Sequence, residues 1–206
     1  MDTADTLTSL AYLAAGVFVA ARSHAFGRAR RLRALALGST IALNGVGSFA
    51  YHGWPAPGTN WLHDVALVAV LGALIAIDLG RFRDWSEEKV VSLLAGLTAA
   101  GGAVLVVTPD GTNVLTAALA GVAVSFEVVT AVRAHRAGGT AFPRRPALWV
   151  AGAALVAASL GNVAGRLGLL QGHGVWHVGG AVFMAAYAVV VLDRPDGLVH
   201  RGASGS

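Results

Sequence analysis

Long apolar stretches alternate with short polar segments along the whole chain. Most of the stretches are about 19 residues long, or about 28 Å as a helix, which is enough to cross the hydrocarbon core of a bilayer. They are rich in Gly, Ala and Val, as suits close helix packing in lipid. The predicted helices cover residues 6–22, 34–52, 62–80, 89–107, 114–132, 147–165 and 173–192. We therefore predict an all-α polytopic membrane protein, a seven-transmembrane-helix bundle forming a single domain over residues 1–206.

The composition agrees with a bilayer as the solvent. Of the 206 residues 55% are hydrophobic and 13% are charged, whereas a soluble domain carries about 25% charged residues. Cysteine is absent, which excludes disulfides and thiolate metal sites. A transition-metal site in this chain must therefore be built from His, Asp, Glu or water.

The basic residues predict the orientation of the bundle. Fourteen of the fifteen Lys and Arg residues fall after the first, third, fifth and seventh predicted helices, and Arg166 alone falls on the other side. Cytoplasmic loops carry this excess, so we predict the N-terminus outside and the C-terminus in the cytoplasm. Asp2 and Asp5 precede the first helix and arginines follow it, the reverse of a signal peptide. Because the net charge of +4 lies in these loops, a nucleic-acid partner is not expected.

Polar side chains inside or at the edge of predicted helices are costly and usually functional. Those that stand out are Asn44, Ser48 and His52 in the second helix, His63 and Asp64 at the start of the third, and His173 and His177 at the start of the seventh. The first three repeat every four residues and so share one helical face, and the last two form a second pair of this kind.

The predicted orientation places the ends that carry these groups on one side of the membrane. The second helix runs outward to His52, and the third and seventh run inward from Asp64 and from the pair His173 and His177. Three imidazoles and one carboxylate therefore lie at similar depth. Three histidine ligands can leave tetrahedral zinc one open position for water. His63 lies about 100° round the helix from Asp64, so the two are not expected to point at one ion. His63 remains an alternative to His52 as a ligand.

The motifs resemble the signature of the alkaline ceramidases, in a superfamily that also holds progestin/adiponectin receptor-like and hemolysin III-like proteins. The resemblance rests on Ser48-Phe-Ala-Tyr-His52, then Asp64, then Gln171-Gly-His173-Gly-Val-Trp-His177. It implies a seven-helix bundle that binds zinc through His52, His173 and His177. It further implies that Asp64 contacts the water on the zinc and that Ser48 lies beside it. Calcium is not carried over, because an acidic N-terminal segment is not recognisable.

The expected activity is zinc-dependent hydrolysis of the amide in ceramide or a related N-acyl lipid, in a multi-pass membrane protein (of the cell membrane in a bacterium). Zinc lowers the pKa of bound water towards about 7. Asp64 would accept the water proton and later help to protonate the leaving amine, and Ser48 would donate a hydrogen bond to the developing oxyanion.

Two other functions remain in view. The first is a non-catalytic receptor-like or lipid-sensing protein with a structural zinc, which needs the same ligands. The second is a haem-binding electron carrier. Axial haem histidines usually face each other from separate helices, so the pair His173 and His177 on one helical face argues against it. A rhodopsin-like photoreceptor is excluded, because retinal needs a lysine near the middle of the last helix. The single lysine, Lys89, lies at the start of the fourth predicted helix.

Overall fold

The computed structural model describes residues 3–136, 145–168 and 172–193. Within these ranges the chain forms seven α-helices, all long and apolar enough to cross a membrane. They are α1 (Thr3–Ala21), α2 (Arg28–Gly53), α3 (Thr59–Arg83), α4 (Glu87–Val107), α5 (Thr112–Arg136), α6 (Arg145–Arg166) and α7 (Gly172–Leu192). The predicted seven-helix all-α fold is confirmed, and the orientation of the termini stays a prediction. Gln171 of the last motif and the predicted cytoplasmic residues Arg144, Arg194 and Arg201 lie outside the described ranges.

Several helices extend beyond the predicted apolar stretches at their polar ends. Thus α2 begins at Arg28 and α5 continues to Arg136, because the backbone hydrogen bonding of a helix does not end where its apolar side chains do. The link between α2 and α3 is short and contains Pro55 and Pro57. Proline cannot continue a helix, and Gly58 adopts a positive φ of 90° that glycine tolerates best. This link holds the end of α2 beside the start of α3.

Helix α3 lies at the centre of one half of the bundle, where it packs against α2, α4 and α5. Helix α7 packs against α1 and α6, and α1 in turn packs against α2. The largest group of buried apolar side chains joins α1, α2, α3 and α7, and it includes Tyr12, Val19, Leu37, Ile41, Leu74, Ile77 and Val191. The helices that carry the candidate ligands are therefore tied together by a common core.

Small residues bring neighbouring helices into backbone contact. A Cβ atom placed on Gly38 would lie 2.6 Å from the Ala20 nitrogen and 2.7 Å from the Gly16 carbonyl oxygen. A Cβ atom on Gly165 would lie 2.7 Å from the Cα of Gly172. Glycine at such positions lets membrane helices approach closely. The first contact fixes α1 on α2, and the second fixes the start of α7 on α6.

Ion pairs lie at the end of the bundle opposite the histidines. The Arg33 guanidinium is 2.7 Å from the Glu87 carboxylate and joins α2 to α4. The Arg81 guanidinium lies 3.8 Å from the Asp78 carboxylate, the pairing expected from their spacing, and also donates to the backbone carbonyl of Val191 on α7. These pairs belong to the end of the bundle that the charge pattern assigns to the cytoplasm.

Candidate metal centre

Three histidine side chains meet at one end of the bundle. His52 is one residue from the end of α2, and His173 and His177 lie on the first two turns of α7. One ring nitrogen from each can be chosen so that all three lie within 4.8 Å of one another. The predicted convergence of these three imidazoles is confirmed, and the group could hold a metal ion.

The spacing of the rings suits a small divalent ion. The Nε2 atoms of His52 and His173 are 3.3 Å apart. Two nitrogen ligands of a tetrahedral zinc, each about 2.0–2.1 Å from the ion, lie about 3.3 Å from each other. The ring of His177 lies 4.6 Å from that of His173 and 5.2 Å from that of His52, centroid to centroid. The donor set and its spacing therefore fit zinc, with the identity of the metal still a proposal.

Burial of the three histidines differs in a way that leaves the group open on one side. His177 is buried, His52 is half-buried and His173 is exposed. The Tyr51 ring lies against His52, with centroids 4.9 Å apart, and the Tyr12 ring meets His177 edge-on at 6.0 Å. An ion held here would be walled by α1, α2 and α7 and reachable from the side of His173.

Ser48 lies beside the group, as the resemblance implies. It is one helical turn before His52 on α2, is buried, and places its Oγ 3.3 Å from the Nε2 of His177. Its Oγ is also 2.9 Å from the Oγ of Ser9 on α1. One turn further, Asn44 is buried, and its Oδ1 accepts no hydrogen bond from the described part of the chain. The face of α2 that carries these polar groups is thus turned into the bundle.

Asp64 is engaged with neighbours other than the three histidines. Its Oδ1 is 2.9 Å from the Nδ1 of His63, and its Oδ2 accepts a hydrogen bond of 2.6 Å from Thr112 at the start of α5. Neither Asp64 nor His63 belongs to the group of clustered ligand atoms. Of the two histidines considered for the third position, the structure brings His52 to the α7 pair.

Polar groups of α1 complete the surroundings of His177 and were not identified from the sequence. The Nδ1 of His177 lies 3.2 Å from the Asp5 carbonyl oxygen, 3.2 Å from the Thr8 hydroxyl and 3.3 Å from the Ser9 hydroxyl. A signal was present, because Asp5, Ser9 and Tyr12 follow the i, i+4, i+7 spacing of one helical face. Thr112 had no such signal, since its link to Asp64 depends on how α3 and α5 are rotated.

Three imidazoles with an open side can hold a metal and leave room for a further ligand, while Ser48 offers a hydroxyl at the edge of the same space. Comparisons of the chain with protein-family models, with curated proteins and with solved structures found no match.

Proposed function

We propose that this protein is an intramembrane zinc-dependent hydrolase that cleaves the amide bond of ceramide or a related N-acyl lipid. The observation that carries the proposal is the convergence of His52, His173 and His177 within 4.8 Å, with the Ser48 hydroxyl against His177. The set of three imidazoles without a thiolate suits zinc. The order of the motifs along the chain and their resemblance to the alkaline ceramidases support the choice of substrate.

Bound zinc supplies a Lewis acid that acidifies water and polarises a carbonyl oxygen. In the net reaction the water oxygen adds to the amide carbon, the C–N bond breaks, and the water proton passes to the leaving nitrogen. Fatty acid and a free amine are the products. The seven apolar helices place this chemistry within reach of lipid acyl chains.

Asp64 would carry the proton. A carboxylate at the start of α3 can take the proton of the attacking water and return it to the amine, either directly or through one further water. In this structure both of its oxygens are bonded, to His63 and to Thr112. One of these bonds must open during the reaction, and hydrogen bonds of catalytic groups often rearrange when substrate binds.

Ser48 would donate a hydrogen bond to the amide oxygen as negative charge develops on it. Its single hydroxyl hydrogen is shared here between contacts with Ser9 and with the Nε2 of His177. If His177 held a metal through Nε2, that nitrogen would no longer accept from Ser48, and the hydroxyl would be available to a substrate. Ser48 is buried, so few waters compete for it.

The test is release of fatty acid from a panel of ceramides and other N-acyl lipids in detergent. We expect the zinc-loaded wild type to release fatty acid and His173→Ala to release none. Ser48→Ala should retain part of the activity, since one donor among several is lost. A wild type that holds one zinc per chain and cleaves no lipid on a broad panel would overturn the proposal.

A second function, a receptor-like or lipid-sensing protein with a structural zinc, is favoured by one specific observation. Both carboxylate oxygens of Asp64 are bonded within the protein, which ties α3 to α5. In that case Asp64 stabilises the bundle and takes no part in proton transfer. A loss of folding or of zinc in Asp64→Asn would support this second function.

A further inference from the structure

The first turns of α1 present three oxygen atoms to one nitrogen of the buried His177. These are the carbonyl oxygen of Asp5 at 3.2 Å, the Oγ1 of Thr8 at 3.2 Å and the Oγ of Ser9 at 3.3 Å, all measured to Nδ1. His177 is 3% exposed and Ser9 is 0% exposed. Water therefore has little access to this nitrogen, and the protein alone must satisfy it.

Each of the two hydroxyls has a backbone carbonyl acceptor at a shorter distance than Nδ1. Ser9 donates to the Asp5 carbonyl oxygen over 2.7 Å, and Thr8 donates to the Ala4 carbonyl oxygen over 2.8 Å. Each hydroxyl has one hydrogen and two lone pairs. A hydroxyl that donates to its carbonyl can only accept from Nδ1, and the carbonyl of Asp5 has no hydrogen to give. In this arrangement all three atoms around Nδ1 are acceptors.

A neutral imidazole carries one hydrogen, and the nitrogen that holds it is the donor. A ring nitrogen enclosed by three acceptors is stable only when it bears that hydrogen. We infer that α1 acts as a positioning element for the metal centre: Asp5, Thr8 and Ser9 hold His177 as the Nδ1–H tautomer. Nε2 is then left with a lone pair that can bind a metal ion. The inference rests on the metal-binding part of the proposed function and does not require hydrolysis.

Nε2 of His177 faces the Ser48 hydroxyl at 3.3 Å, a group that can donate to a nitrogen without a hydrogen. Partners that fix the tautomer and the plane of a ligating histidine typically contribute about 10–100-fold to metal affinity. Among the three histidines His177 is the most buried, so it is the ligand whose orientation the protein controls most fully.

The tautomer can be read directly from ring nitrogen chemical shifts. Histidine labelled with ¹⁵N in both ring positions is incorporated into the detergent-solubilised, metal-free protein, and the His177 signals are assigned by their loss in His177→Gln. We expect a protonated Nδ1 and an unprotonated Nε2 at neutral pH. The Nε2–H tautomer, a doubly protonated ring or a rapidly exchanging mixture would overturn the inference.

Substitutions in α1 test the effect on metal binding. Ser9→Ala and Thr8→Val each remove one acceptor, and we expect the double variant to bind zinc about 10–100-fold more weakly. We also expect it to shift the absorption bands of the cobalt-substituted protein. The matched control is Ser159→Ala, which removes the same kind of hydrogen bond, 2.8 Å from the Ser159 hydroxyl to the Leu155 carbonyl, on an exposed face of α6. Unchanged zinc affinity and an unchanged cobalt spectrum in the double variant would contradict the inference.

A loss of folding or of catalysis can be distinguished from a change in the His177 tautomer. Thermal unfolding shows whether Ser9→Ala still folds, and if it does not, Thr8→Val and the wild-type tautomer decide the question. Neither measurement involves turnover. A protein with the Nδ1–H tautomer that cleaves no lipid amide would retain this inference and lose the hydrolase, and the Nε2–H tautomer in an active enzyme would do the reverse.

Discussion

The Nε2 atoms of His52 and His173 lie 3.3 Å apart, although one side chain comes from the end of α2 and the other from the start of α7. Two imidazole nitrogens at this distance compete for one hydrogen or share one cation. Because His177 joins them from the next turn of α7, a shared metal ion would satisfy three lone pairs at once.

Metal content is the first expected outcome. The purified protein should contain about one zinc per chain, and His173→Ala or His177→Ala should lose most of it. Loss of a hydrogen-bond partner of a ligating histidine lowers metal affinity by roughly 10–100-fold. The loss of affinity in these two variants should be larger, because each removes a ligand itself. Elemental analysis of each variant after dialysis gives the answer. His135→Ala, an exposed histidine in the last turn of α5, is the control, and full zinc retention in both test variants would place the metal elsewhere.

The role of Asp64 separates the two proposed functions. If Asp64 transfers protons, Asp64→Asn should keep its fold and its zinc while turnover falls by about 10²–10⁴-fold, because an amide is not a base at neutral pH. Turnover and zinc content are measured on the same samples. A folded, zinc-loaded Asp64→Asn protein with wild-type turnover would exclude Asp64 as the base.

The hydrogen bond from Thr112 to the Asp64 carboxylate can be removed without changing Asp64 itself. Thr112→Val removes the hydrogen bond to the Asp64 Oδ2 and preserves the shape of the side chain. For a carboxylate that must turn towards substrate, we expect turnover to change by less than in Asp64→Asn while zinc content stays constant. Thr116→Val, one turn further along α5, is the control, since its hydroxyl bonds the Thr112 carbonyl of its own helix. A larger loss in Thr112→Val than in Asp64→Asn would contradict this order.

The orientation of the bundle remains to be measured. Reporter fusions after residues 58, 111 and 170 should lie outside the cytoplasm, and fusions after residues 28, 84, 139 and 200 should lie within it, because basic loops are retained on the cytoplasmic side. A cytoplasmic signal at residue 58 would place the histidine group on the opposite side of the membrane from the one predicted.

Close helix contact gives a stability prediction with an internal control. Gly38→Ala places a methyl group 2.6 Å from the Ala20 nitrogen, and such overpacking should lower the free energy of unfolding by about 1–3 kcal/mol. Gly121→Ala adds the same group to α5 with nothing within 4 Å and should leave stability equal or higher. Thermal unfolding in detergent compares the two, and equal midpoints would mean that α1 and α2 are not in backbone contact.

The helices and the three histidines could be predicted from the sequence, and the reason is physical. Length and apolar content determine a transmembrane helix, and His173 and His177 share a face by their spacing alone. His52 followed from the alternation of helix direction, which places it at the same end as the α7 pair.

The hydrogen-bond partners of His177 and Asp64 could not be predicted from the sequence in the same way. The contact of Thr8 with His177 joins residues far apart in the chain, and it depends on how α1 is rotated about its axis. Helices that are apolar on most faces leave that rotation undetermined by the sequence pattern. The bond between Thr112 and Asp64 was inaccessible for the same reason, so the direction of the Asp64 carboxylate emerged only from the structure.

The separation of the ligands along the chain has a consequence for biogenesis. His52 and His173 are 121 residues apart, and at the usual rate of synthesis α2 waits roughly 6–24 s before α7 is made. Throughout that interval the nascent protein has only one imidazole of the group. A metal ion held by all three histidines would therefore be captured late, after α7 has been made. A chain that held the ion in this group would have completed its synthesis through α7, whereas one arrested before α7 would lack two of the three ligands.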